Sequence, residues 1–239
     1  MPPPTPQELT TALLTYLTSK HLPPQPQFLT SLLPSLNPSI PLAATQKTAL
    51  FRLLATDITS TLQSTPTSTF PPNISNPAVK ELTLPGPITV QVLDIEDVGR
   101  SAWSQVEMME MEERGEFRKG SEIIRVTEEE EEETSDPAGR PAASGPHKLL
   151  VQDARGVKVF AFEMESVTGV GMGMAIGSKI VLKGCVVARG VVLLTPRSVE
   201  VLGGKVEMWE RKWREGRKAR LKVRAGGGEG RVVGDGMER

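Results

Sequence analysis

The sequence predicts an α+β chain: a small helical bundle, then a five-stranded β-barrel with a long insertion between its first two strands. Three observations predict it. Residues 1–87 hold 16 of the 20 prolines, with apolar residues between them at helical spacing. From residue 88 the apolar period switches to two, in short stretches separated by glycine-bearing turns and with no helices in the βαβ rhythm. Between the first two stretches lie about fifty residues, far beyond the ~12–15 at which a structureless loop in a compact domain becomes suspect. The expected parts are 1–80, helical; 81–204, barrel, with the insertion at 96–146; and 205–239, a basic helix and disordered tail.

Composition narrows the function classes. The chain has 239 residues, 38% apolar, with 28 Lys+Arg against 29 Asp+Glu. A core can form, and part of the chain is expected to stay unpacked. No apolar run approaches the ~18 residues of a membrane span, so no membrane partner is expected. Met1 to Pro6 lacks the basic start and apolar run of a secretory signal. Cys185 is the only cysteine, which excludes an internal disulfide and a Cys-based zinc knuckle. His21 and His147 lie far apart and form no HExxH-like pair. An intracellular protein without metal or cofactor is expected, and most hydrolytic chemistry is disfavoured.

Thr5, Pro6 and Glu8 have the spacing of a capping box with proline at the first helical position. Leu9, Leu13, Tyr16 and Leu17 follow on one face, and Pro23-Pro24 stops the helix. A second, weaker helix is expected from Phe28 to Leu33. A third is expected from about Pro41 to Leu62, with Leu50, Leu53, Leu54, Ile58 and Leu62 on one stripe. Packing accounts for every apolar position, so this three-helix bundle needs no chemistry of its own.

The expected strands are Ile88 to Leu93, closed by Asp94; Leu149 to Gln152; Val157 to Phe162; Lys179 to Lys183; and Val191 to Leu194. Gly184 marks a bend in the fourth, which Val186 and Val187 would continue. Val199 to Leu202 would extend the fifth. The count fits the five-stranded Greek-key barrel, the OB-fold.

The insertion is bipartite. Residues 97–126 contain Trp103, Val106, Met108, Met109, Met111, Phe117, Ile123 and Ile124. Disordered linkers are poor in such residues, which points to a partner-binding element. The other reading is that they fold back on the barrel's own surface. Residues 127–145 are acidic, then Pro/Gly/Ser-rich, and read as a solvated tether.

Two further motifs carry less. The Gly169-to-Gly177 stretch fails the GxGxxG and P-loop tests and lacks their strand-then-helix context, so it reads as a flexible connection between strands three and four. Val206, Trp209 and Trp213 form an aromatic stripe on a last helix, continued by Arg211, Lys212, Arg214, Arg217, Lys218 and Arg220. These six read as a phosphate-contacting or nuclear-import segment, or equally as a solvated face. Phe160 and Phe162 share one strand face, available for base stacking or for the core.

These residues carry a resemblance. The runs DVGRSAWSQ (97–105), LLVQDARG (149–156), FEME (162–165), GSKIVLKG (177–184) and, most distinctive, RGVVLLTPRSVEVLGGKV (189–206) resemble the RecQ-mediated genome instability protein 1 family. The likeness covers roughly residues 1–210, in pattern only over the helices, and the Gly171-to-Gly173 stretch departs from it. The resemblance implies a non-catalytic nuclear OB-fold subunit that binds topoisomerase III through barrel and insertion and modulates its gate. With a RecQ-family helicase, the complex would dissolve double Holliday junctions. The contact residues so implied are Asp97, Val98, Ala102, Trp103, Ser104, Gln105 and Lys179, with Trp103 the anchor. DNA would be met through the complex. A second, C-terminal OB domain of some members is expected to be missing. The alternative is a stand-alone single-strand nucleic-acid-binding module, touching DNA directly. An enzyme would need an acid–base or nucleophile set, and none converges.

Overall fold

The computed structural model of the chain describes residues 5–36, 40–114 and 145–226. Helix α1, Pro6–Ser19, opens with the predicted capping box: Thr5 Oγ1 accepts from the Glu8 N–H at 3.3 Å, and the Thr5 N–H donates to Glu8 Oε2 at 2.8 Å. Helix α2 is Pro26–Leu32, with a 3-10 turn at Leu33–Ser35. The helix expected over 41–62 is two, α3 (Leu42–Leu54) and α4 (Ile58–Thr61). Asp57 breaks it by capping α4, accepting from the Thr59 N–H at 2.9 Å. The Ile58 N–H goes to the side chain of Gln91, at 3.1 Å, instead of continuing α3. Leu13, Leu17, Leu22, Leu53, Ile58 and Leu62 form the core of this part.

The sheet has eight strands where the periodicity predicts five. They are β1 (Glu81–Thr83), β2 (Ile88–Asp97), β3 (His147–Asp153), β4 (Lys158–Glu163), β5 (Lys179–Leu182), β6 (Val186–Ala188), β7 (Val191–Leu194) and β8 (Val199–Gly203). Their order is β1-β6-β7-β4-β3-β2-β5-β8, with β4 and β7 parallel and all other neighbours antiparallel. The five expected strands are β2, β3, β4, β5 and β7. The extra three are short pieces. Gly184, at φ +62°, turns the chain, so β6 pairs with β7 and β1 instead of prolonging β5. A turn closed by Ser198 N–H to the Thr195 carbonyl separates β7 from β8 in the same way.

Asp94 does not close β2. The register shifts between Val92 and Asp94, a bulge that lets the strand run on to Asp97. Asp94 Oδ1 there accepts from the Trp213 indole at 2.6 Å and from the Ile95 N–H at 2.9 Å. Alternation puts Ile88, Val90, Val92, Leu149, Val151, Val159, Ala161, Ile180 and Val192 in one core. The Gly169-to-Gly177 connection forms no helix, as expected, but it is held: Met174 and Ile176 enter the core, and the Ile176 N–H donates to buried Glu210 at 2.5 Å.

Helices and barrel meet along a polar seam. Gln91, fully buried, donates to Asp57 Oδ1 at 2.7 Å and to Gln152 Oε1 at 3.0 Å. Its register partner Lys179 donates to the carbonyls of Leu54 (2.8 Å) and Gly177 (2.6 Å). Lys179 thus satisfies a carbonyl at the end of α3. At Gly204, φ +91°, a Cβ would lie 2.5 Å from the Leu54 oxygen, so only glycine allows the approach. Of the described residues, those within 1–97 and 146–213 make one compact unit and those within 98–145 and 214–239 a second. The sequence-predicted tether at 127–145 (but for Gly145) and most of the tail lie outside the described residues, as do Phe117, Ile123 and Ile124.

Candidate partner-binding site

The insertion leaves the barrel at Asp97 and returns at His147, which pair across β2 and β3. His147 is fixed at the return: its Nδ1 lies 2.5 Å from Glu163 Oε2, which also accepts the His147 N–H at 3.0 Å. Glu163 Oε1 takes the Val167 N–H at 2.8 Å, and both side chains are buried.

After Asp97, Val98 to Arg100 turn the chain into helix α5, Ala102–Glu113. Ser101 caps it, accepting from the Ser104 N–H at 3.1 Å. Gln105 reaches back to the Arg100 carbonyl at 3.1 Å, and Arg100 touches Met108 Sδ at 3.2 Å. The helix divides its apolar set. Val106 is buried and the methionines are half-buried, while Trp103 is 67% exposed and Val98 45% exposed. Ala102 and Ser104 flank Trp103, half-buried. An indole two-thirds exposed at a capped helix start is a large apolar surface.

Three predicted contact residues point inward. Lys179 is fully buried on the seam between helices and barrel, so its side chain has no surface to offer a partner. Burial drags its ammonium down to about 8, against the opposing pull of the Asp57 charge. Asp97 and Gln105 are also buried. Lys179 reads as a surface cation in sequence because a lysine in a strand is seldom fully buried.

The last helix, α6, spans Glu207–Gly226. Trp213 packs into the barrel core, and Trp209 lies against it. Its basic part faces carboxylates. Lys218 Nζ lies 2.6 Å from Glu113 and 3.4 Å from Glu110, and Lys222 Nζ lies 2.8 Å from Glu110. Arg217 donates to Gln105 Oε1 at 3.3 Å. The Lys222 ammonium holds the Glu110 carboxyl below the usual range, and Glu113 raises Lys218. Arg217 and Lys218 are therefore engaged with protein groups. Arg211, Lys212, Arg214 and Arg220 are exposed. Glu110, Glu113 and Lys222 were not foreseen; no local spacing links residues 105 apart in the chain.

On the barrel's outer side Phe160 is 47% exposed, and the Lys148 ammonium sits 4.3 Å from its ring centroid. Phe162 is half-buried on the same face, whereas Val159 and Ala161 take the core. Among the described residues no group of three or more His, Cys, Asp or Glu is placed to hold a metal ion, and no helix is long and apolar enough to cross a membrane.

A family model described as "RMI1, N-terminal OB-fold domain" matches residues 70–217, and one described as "RMI1, N-terminal helical domain" matches residues 17–61. The chain is 26% identical over 134 residues to the RecQ-mediated genome instability protein 1 of Schizosaccharomyces pombe, covering 51% of this chain and 57% of that protein. It is 31% identical over 127 residues to the protein of the same name from Mus musculus, covering 52% of this chain and 19% of the mouse protein. The matched part thus spans less than two thirds of either relative. With the first family model covering more than half of its length, the chain belongs to the RecQ-mediated genome instability protein 1 family.

Proposed function

We propose that the protein is a non-catalytic nuclear OB-fold subunit that binds topoisomerase III through the insertion, biases the enzyme's gate, and promotes dissolution of double Holliday junctions with a RecQ-family helicase. The observation that carries this reading is Trp103: a two-thirds-exposed indole on a capped helix, at the start of an insertion far longer than the barrel needs. Aromatic anchors dominate interface energetics. A gate preference of about 1.4 kcal/mol shifts a two-state equilibrium tenfold, so modest contacts suffice.

Pull-down of purified topoisomerase III by the wild type and by Trp103→Ala tests the contact. Capture is expected to drop with the substitution. Removing residues 100–145 is expected to leave a folded barrel and to abolish stimulation of junction dissolution; undiminished stimulation would defeat the reading.

A second reading rests on Phe160. Its outward ring, with Lys148 and the exposed Lys158 close by in the sheet, suits a single strand stacked on the barrel. Binding of a single strand by this chain alone would weaken steeply as salt rises; no binding by this chain alone would overturn the second reading.

A further inference from the structure

Helix α5 is a poor helix by itself. It has 12 residues, at the lower edge of what stays helical alone in water. Glu110, Glu112 and Glu113 crowd its C-terminal end, where the helix dipole is already negative, and its own sequence sets Arg114 at the C-cap against these three carboxylates. Its apolar residues are split between a buried side and open solvent. The balancing charges come from the far end of the chain. Lys218 and Lys222 face Glu110 and Glu113, and Arg217 meets Gln105, which itself holds the Arg100 carbonyl at the helix entry. One end of α5 is thus neutralised and the other end tied, by the adjacent Arg217 and Lys218 and by Lys222 one turn further along α6.

We propose that Arg217, Lys218 and Lys222 are positioning residues for the partner-binding helix: they hold α5 folded before a partner arrives, so that Trp103 is presented on an ordered backbone. The shifts of Glu110 and Lys218 toward their charged forms agree with this pairing. Order established in advance need not be supplied by the interface, which is how preorganisation raises affinity. The holding of α5 stands on the contacts alone; its consequence for affinity rests on the function proposed above.

The test is a double-mutant cycle in the full chain. One arm is Lys218→Glu with Lys222→Glu, the second is Glu110→Lys with Glu113→Lys, and the third combines all four. Amide exchange over residues 102–113 reads the helix without any partner. Reversal of the lysines is expected to lower protection about tenfold, the scale of two or three exposed ion pairs. The combined variant is expected to be protected well beyond the product of the two separate effects. Effects that simply multiply overturn the pairing. The cycle also cancels the helix-dipole benefit that lysines bring to the end of α5 on their own. Topoisomerase III affinity should weaken about tenfold with the lysine reversal and recover in the combined variant. Coupling in exchange with unchanged affinity overturns the positioning role. If instead Trp103→Ala binds as well as wild type, the proposed function fails, and the exchange cycle still decides whether these residues hold α5.

Discussion

The Lys179 ammonium and the Leu54 carbonyl, 125 residues apart in the chain, meet at 2.8 Å and join the end of helix α3 to strand β5. A second carbonyl, that of Gly177, takes another N–H at 2.6 Å. A neutral amine has two N–H donors and suits the site; the charged form is penalised by burial.

That penalty has a sign. The folded-state value, about 8, lies below the unfolded one, so between the two the unfolded chain binds more protons and stability rises with pH. Relative to Lys179→Met, the wild type is expected to gain about 2 kcal/mol between pH 7 and pH 9.5. Urea unfolding of both proteins at the two pH values measures it. A difference that does not change with pH would mean that Lys179 titrates as an exposed lysine does.

Gly204→Ala is expected to destabilise by about 3 kcal/mol, because it adds a Cβ against the Leu54 oxygen and strains a left-handed backbone. Gly173→Ala, where a Cβ meets nothing within 4 Å, is the matched control and should stay within about 0.5 kcal/mol of wild type. Equal midpoints for the two variants in thermal unfolding would contradict the close approach.

Gln91→Leu keeps the side-chain volume and strands the Ile58 N–H, losing two donations as well. A loss of about 2–3 kcal/mol is expected, the scale for a buried group left unpaired. The sharper readout is local: amide exchange at Ile58 should rise more than at Val151, deep in the sheet.

Trp213→Phe retains an aromatic ring and removes the donor to Asp94. Because the acceptor is a carboxylate, about 1.5–3 kcal/mol is expected. Asp94→Asn should cost less in the Trp213→Phe background than in the wild type; an equal cost in both would mean that the indole bond contributes nothing.

Local signals were legible in the sequence, and long-range ones were not. The Thr5–Glu8 box is complete within four residues, and the alternation of β3 and β4 is written into their own side chains. Of the three extra strands, β6 and β8 were legible as strand but read as continuations of β5 and β7, and β1, with three residues, is too short to set a period and exists because β6 pairs with it. Asp94 reads as a strand end by propensity, but an indole arriving from residue 213 satisfies it. Trp103 was legible only as one of the apolar residues that mark the first part of the insertion as more than a linker. Lys179 was not, since nothing nearby in sequence announces that it is enclosed. The facing of Lys218 and Lys222 on Glu110 joins two segments whose charge runs look, separately, like solvated surfaces.

The pairing of Asp97 with His147 sets how this family member can vary. Both ends of the excursion depart from one antiparallel rung, as the two arms of a hairpin do. Loop-closure entropy grows only logarithmically, about 0.6 kcal/mol for each doubling of length. Grafting a longer, shorter or unrelated sequence between these two residues should therefore leave the scaffold's folding almost untouched, making the rung a socket into which new binding specificities can be plugged.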